Sequence, residues 1–177
     1  MNLIICTTPF QMLIAEKVIE KNQCDIFHLV VFSSTWNDKY QHYMEKLLSH
    51  KNVIFLKKYV VCKDKQFSRL CQLILVRILS LFLRGNVNKV YVASIDSIWV
   101  RLFLSSLDKF NLYTFDDGTA NIFKNSFFYK DDSFLMKFIM KLLCSRYTML
   151  DLKRMSLEHY TIYKNRENIV ESEKLTY

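Results

Sequence analysis

The sequence predicts an α/β domain built on a doubly wound, mainly parallel, Rossmann-like sheet. Three observations carry this. Short runs rich in Val, Ile, Phe and Tyr recur at about 2–6, 26–32, 53–56, 89–93 and 111–115, and helical patterns separate them. The runs lack polar alternation, which marks strands buried on both faces of a sheet. The chain has 177 residues, 51% hydrophobic and 24% charged, enough for one domain with a substantial core. Only two Gly and one Pro leave no room for a flexible linker, and no internal repeat is present.

The first strand is Asn2-Leu3-Ile4-Ile5-Cys6, which lacks the charged lead of a signal peptide and the apolar length of a membrane anchor. Thr8 is then a good N-cap, Pro9 suits the first helical position and Gln11 completes a Thr-x-x-Gln capping box. A helix is expected from there to about Lys21. Bulky Phe10 and Gln11 stand where a GxGxxG turn needs glycine, so a dinucleotide site of that type is excluded. Thr7, Thr8 and Gln11 either cap the helix or line a polar crevice.

Beyond the later strands come Ser33, Ser34 and Thr35, with Trp36, Asn37 and Tyr40 close behind, then Lys57 and Lys58, then Ser94 and Asp96. Ligands of open α/β sheets bind past the carboxyl ends of strands, and hydroxyls and acids at those ends suit a polyhydroxylated ligand stacked on aromatic rings. The same serines and threonines also serve as helix caps.

The fifth strand lead, Asn111 to Phe115, ends in Asp116, Asp117, Gly118 and Thr119. Either this is an Asp-Gly turn with Asp116 solvated and Asp117 in an Asx-type hydrogen bond, or both carboxylates sit on the rim of a crevice.

The net charge of +8 asks for an anionic counterpart. Scattered Lys and Arg without a helix-turn-helix, zinc-finger or ribonucleoprotein pattern exclude nucleic acid and favour a phosphorylated or lipid-linked partner. Five cysteines with no CxxC spacing point to reduced thiols in a cytosolic setting, with no metal site and no disulfide scaffold.

In the helix expected over 65–84, Lys65, Arg69, Gln72, Arg77, Ser80 and Arg84 form one polar stripe beside a wide apolar face, and Ser133 to Arg146 partly repeats it. The run is too short to span a bilayer; the face meets either an anionic membrane surface or the sheet and a partner chain. His28 is expected as a hydrogen-bonded strand residue, and His42 and His50 as exposed on the second helix. His159, beside Glu158, reads either as a carboxylate-oriented acid or base or as a structural residue.

Four segments, TFDDGTANI at 114–122, EHYTIYKNRENI at 158–169, NLIICTTPFQMLIAEKVIE at 2–20 and YVASID at 91–96, together resemble the bacterial lipooligosaccharide sialyltransferases of glycosyltransferase family 52. The likeness runs along nearly the whole chain. It implies the N-terminal lobe of a GT-B-type enzyme, in which two Rossmann-like halves face each other over a cleft. Residues 1–155 would be the acceptor-side domain, 156–177 the start of the interdomain connection, and the C-terminal donor-binding domain would be absent.

The implied reaction is an inverting, metal-independent transfer of sialic acid from CMP-sialic acid to a terminal galactose, with some relatives using other sugars. In that family the general-base Asp and the CMP-binding His-Pro motif belong to the C-terminal half, and nothing here matches them. The catalytic residues are therefore expected beyond Tyr177, and those roles are not carried onto Asp116, Asp117 or His159. The cleft-side candidates are Thr7, Thr8, Gln11, Ser94, Asp116, Asp117, Gly118, Thr119 and His159, with no metal ligand and no cofactor.

A lone half is expected to be weakly active or inactive, as a truncated or split member. CMP-sialic acid is the donor once the missing half is supplied. The implied partners are a nucleotide sugar, a lipooligosaccharide or other galactose-terminated acceptor, and a second copy or the missing half. The implied location is the bacterial cytoplasm, with peripheral contact at the inner membrane. The alternative is a non-catalytic glycan-binding or assembly subunit. A Mg²⁺-binding receiver module is more distant, because its acid pair belongs after the first strand, where this chain has Thr7 and Thr8.

Overall fold

The computed structural model describes residues 1–61, 66–123, 125–126, 132–164, 166–170 and 174–177. In chain order the elements are β1 (Asn2–Cys6), α1 (Pro9–Lys21), β2 (Phe27–Ser33), α2 (Asp38–Leu48), β3 (Val53–Val60), α3 (Gln66–Leu81) and β4 (Lys89–Val92). There follow α4 (Ile98–Leu104), β5 (Asn111–Phe115), a short 3₁₀ turn (Thr119–Asn121), α5 (Phe134–Leu142), α6 (Met149–Met155), β6 (Ser156–Tyr160) and β7 (Leu175–Thr176). The strands form one sheet in the order β3-β2-β1-β4-β5-β6-β7, every pairing parallel.

Side-chain alternation along these strands divides the core in two. Ile4, Cys6, Leu29, Val31, Tyr91 and Phe115 meet Met12, Ala15 and Ile19 of α1 and Met44 and Leu47 of α2 on one face. Leu3, Ile5, Val30, Val90 and Leu112 meet Leu73 and Val76 of α3, Phe103 of α4, Met140 of α5 and Leu152 of α6 on the other. Helices lie on both faces because parallel strands need crossovers, and both faces are apolar because both are covered. Cys6 is part of this packing; burial pushes its thiol far up, with the negative charge of Asp117 adding to the effect.

Three expectations need revision. The third strand runs to Val60, past its expected end near 56, because Lys57 and Lys58 pair in register with Val30 and Val31 of β2. The segment 156–177, expected to open an interdomain connection, contributes β6 and β7 to the same sheet. The polar stripe of α3 is not one solvated face. Ser80 is fully buried, Arg77 donates to the carbonyls of Leu143 and Cys144 at 3.2 and 2.9 Å, and Arg84 pairs with Asp108; Lys65 lies outside the described residues. No helix among the described residues is long and apolar enough to cross a membrane.

Candidate functional site

β1 and β4 are neighbours, yet the chain leaves β1 for β2 on one side and leaves β4 for β5 on the other. The connections diverge there and open a crevice beyond the carboxyl ends, the topological switch point of a doubly wound sheet. Thr7 follows β1, Ser94 follows β4, and their hydroxyls lie 2.8 Å apart across the crevice.

Gln11, fully buried on the first turn of α1, ties the two together. Its Oε1 accepts from the Thr7 amide at 2.6 Å, and its Nε2 donates to Ser94 Oγ at 2.6 Å and to Asp117 Oδ1. Ser94 Oγ donates to Asp117 Oδ2 at 3.2 Å. The Thr7 hydroxyl also donates to Gln11 Oε1 at 3.2 Å, and either hydroxyl can be the donor in its contact with Ser94. The expected capping box is thus half present: Thr8 Oγ1 accepts from the Gln11 amide at 3.2 Å, whereas the Gln11 side chain turns to Thr7 and the crevice. Thr8 caps α1, and no bond joins it to the carboxylate.

Asp117 is mostly buried, and burial raises its carboxyl to about 6; the Gln11 hydrogen bond opposes this, the nearby charge of Asp96 adds to it and Ser94 opposes it again. Burial also raises the Asp96 carboxyl, against hydrogen bonds from its own and the Ser97 amide and the attraction of Arg101. The Asp117 amide donates to Oδ1 of buried Asn121 at 3.1 Å, which fixes the turn after β5.

Gly118 completes that turn at φ +89°, ψ −159°, a conformation open in practice only to glycine. A Cβ there would meet nothing closer than the Phe10 ring at 3.9 Å. Gly118→Ala is therefore expected to lose about 1–3 kcal/mol through backbone strain alone. Urea unfolding of the variant checks this. Thr119 is exposed on the 3₁₀ turn.

Asp116 and His159 do not join the crevice. Strand alternation sends neighbours to opposite faces: Phe115 packs with α1, so Asp117 turns toward Gln11, while Thr114 and Asp116 turn the other way. Asp116 is fully buried, which corrects its expected place on the rim. Its carboxylate accepts from Thr161 Oγ1 at 2.8 Å, the Ile162 amide at 2.8 Å and His159 Nε2 at 3.1 Å. His159 is fully buried too, and its Nδ1 meets Thr114 Oγ1 at 2.8 Å.

These bonds clamp β6 to β5 and leave no imidazole nitrogen open to a substrate. The acid that orients His159 is Asp116 rather than its neighbour Glu158, which lies on the opposite face and binds Tyr160 Oη at 3.2 Å and Thr176.

Two further links leave no mark in the sequence. Tyr40 Oη donates to the Thr7 carbonyl at 3.1 Å, and Lys58 Nζ sits 3.9 Å from the centre of the Trp36 ring, so the ends of β2 and β3 adjoin the network. Asn121 lies inside the stretch that contains the acid pair, four residues past Asp117, and no local turn spacing marks it, because its side chain reaches back to the Asp117 amide. Of the histidines expected on α2, His42 is exposed, and His50 follows the helix and meets Glu16 at 3.4 Å.

A cavity of about 420 Å³ shares no residue with the network; it lies beside α1, lined by Ile14, Lys17, Val18, Lys21, Tyr160 and Ile162 among others. Among the described residues Glu16, Glu20 and His50 converge closely enough for a cation. Lys46 and Lys17 already pair with those two carboxylates at 2.8 and 2.6 Å.

A doubly wound parallel sheet with hydroxyls, a carboxamide and a desolvated carboxylate at its switch point, and no phosphate-cradling glycines, defines a Rossmann-like lobe with a hydrogen-bonding crevice. Residues 25–177 match the profile of Glycosyltransferase family 52, and the chain belongs to that family. It is 39% identical over 173 residues to a CMP-N-acetylneuraminate:beta-galactoside alpha-2,3-sialyltransferase of Pasteurella multocida (strain Pm70), covering 97% of this chain and 54% of the relative. It is 33% identical over 179 residues to an N-acetyllactosaminide alpha-2,3-sialyltransferase of Haemophilus influenzae, covering 96% and 55%. A protein of the same description from Neisseria meningitidis is 26% identical over 182 residues, covering 99% and 49%. The chain spans about half the length of the curated relatives it matches.

Proposed function

We propose that this chain supplies the acceptor-facing lobe of a sialyltransferase, the transfer running from CMP-sialic acid to a terminal galactose once a donor-binding lobe closes the cleft. The observation that carries the reading is the Thr7–Gln11–Ser94–Asp117 network at the switch point. A galactose presents vicinal hydroxyls, and a carboxylate held in place by a fixed amide and a serine hydroxyl offers them acceptor oxygens in preset positions. Asp117 is assigned to hold the acceptor. The proton of the attacking hydroxyl and the departing CMP are handled by the second lobe, which this reading makes essential because one wall cannot exclude water from a nucleotide sugar.

The test is CMP release from CMP-sialic acid with lactose as acceptor, by this chain alone and mixed with the C-terminal half of a family 52 relative. Release is expected only from the mixture. Equal release by the chain alone contradicts the need for a second lobe, and none from the mixture contradicts the reading itself.

On the same reading the chain works at an anionic membrane surface carrying a lipid-linked acceptor. Arg77 joins α3 to the end of α5, and the pair exposes Ile74, Ile78, Phe134, Phe138 and Leu142 near the exposed cations Arg69 and Lys141. An apolar patch edged with positive charge is what an interfacial surface requires.

A further inference from the structure

We propose that the cavity bounded by α4, α5 and the start of α6 binds a single phosphate group, free or esterified. It measures about 190 Å³, and its lining includes four cationic side chains, Arg101, Lys137, Lys141 and Arg146, against one carboxylate among the described residues, Asp132. Cations outnumber the carboxylate in the described lining, which suits a phosphate dianion.

Arg101 carries the inference. Only 1% of its side chain is exposed, and Nη1 donates to Asp132 Oδ2 at 2.6 Å. Its Nε–H is buried with no hydrogen-bond partner among the described residues. A buried guanidinium donor left unpaired is costly, and adjacent guanidinium N–H groups form the fork that takes a phosphate through two parallel bonds.

The other groups complete the shell. Arg146 donates from Nη1 to the Leu107 carbonyl at 3.1 Å, a neutral acceptor that fixes the side chain, and no ion pair to it is found among the described residues. Lys137 and Lys141 stand one turn apart on α5 and so share a side of that helix. Thr148 closes one wall, its hydroxyl engaged with Asp151 in the cap of α6. A nucleotide sugar does not fit, since sites for ligands of that size run to about 300–1,000 Å³. No residue of this cavity belongs to the switch-point network, and the inference stands apart from the transfer reading.

Calorimetric titration of the 177-residue chain with inorganic phosphate, against chloride at equal ionic strength, tests it. Saturable one-to-one binding is expected. Lys141→Glu, on an exposed side chain, is expected to weaken it by about tenfold or more while leaving the phosphate-free melting temperature unchanged. Arg101→Lys keeps the charge, removes the fork and is expected to weaken it further. No saturable heat, or an affinity that Lys141→Glu does not change, overturns the proposal.

Sedimentation with phosphatidylcholine vesicles, with and without phosphatidic acid, separates the sources. Binding to the acidic vesicles that free phosphate reverses assigns the site to a lipid headgroup. Phosphate binding without vesicle binding assigns it to a soluble phosphate. Vesicle binding indifferent to phosphate, with a flat phosphate titration, overturns it.

Discussion

Asp117→Asn is expected to stabilise this chain above about pH 7 and to leave its stability unchanged near pH 4. The sign follows from linkage. The folded carboxyl sits at about 6 because burial disfavours its charge, against 3.8 for an unperturbed group. Between those values the folded state binds more protons than the unfolded one, so stability falls as pH rises through the window and levels off above it. The full penalty is about two pKa units, on the order of 3 kcal/mol at most and about 1–3 kcal/mol after allowance for the part of the group that reaches water.

Asparagine removes the charge while its Oδ1 still accepts from Gln11, and the Ser94 hydroxyl turns its proton to Thr7 Oγ1 and accepts from Nδ2 instead. Denaturant unfolding of both proteins across this pH range checks the prediction; a variant less stable than the parent at neutral pH contradicts it. A charge kept at a thermodynamic loss in a crevice that Asn would fill more comfortably is the signature of a group held for chemistry or recognition rather than for packing.

One residue earlier the expectation reverses. Asp116→Ala is expected to cost about 3–5 kcal/mol, a large share of the about 5–15 kcal/mol that holds a domain of this size together. The loss is not one contact. The carboxylate satisfies His159 Nε2, Thr161 Oγ1 and the Ile162 amide, all at the β5–β6 junction, and its removal strands three donors, two of them on buried side chains.

β6 carries β7 as its outer neighbour, so loosening this clamp frees both strands from the sheet. Near-UV circular dichroism should report lost packing around Tyr160, whose ring packs at a tilt against that of Tyr91. Pairing Asp116→Ala with His159→Ala should cost less than the sum of the single changes, because each alone leaves the other's partner exposed to the same loss. Strict additivity would show that the two side chains do not act as one unit.

The strands were legible because a parallel sheet leaves its strongest mark in uninterrupted Val, Ile and Phe, and five of the seven declare themselves that way. β6 was harder: Ser156, Glu158 and His159 break the apolar run, and what makes the segment a strand is a polar ladder to Thr114 and Asp116 that pairs only in three dimensions. β7 is two residues long and held by register with His159 and Tyr160.

At the site, Thr7, Gln11, Ser94 and Asp117 stood in the right places along the chain. The role of Gln11 was hidden because a glutamine three residues past a threonine reads as a local cap, and nothing in one dimension shows that its amide spans to β4 and β5. The acid pair was separable in principle. Alternation allows only one of two adjacent strand-end carboxylates to face a given side, and Phe115, the bulkiest apolar residue of the lead, indicates which.

The central claim is that the crevice between β1 and β4, with Asp117 at its edge, meets the acceptor sugar. Titrating ¹⁵N-labelled chain with N-acetyllactosamine and following amide shifts tests it most directly. The account expects shifts that saturate and centre on Thr7, Gln11, Ser94, Asp117 and Thr119, and that disappear in Asp117→Asn. Saturating shifts centred on Lys17, Lys21 and Ile162, around the large cavity beside α1, with Ser94 and Asp117 unmoved, would contradict it.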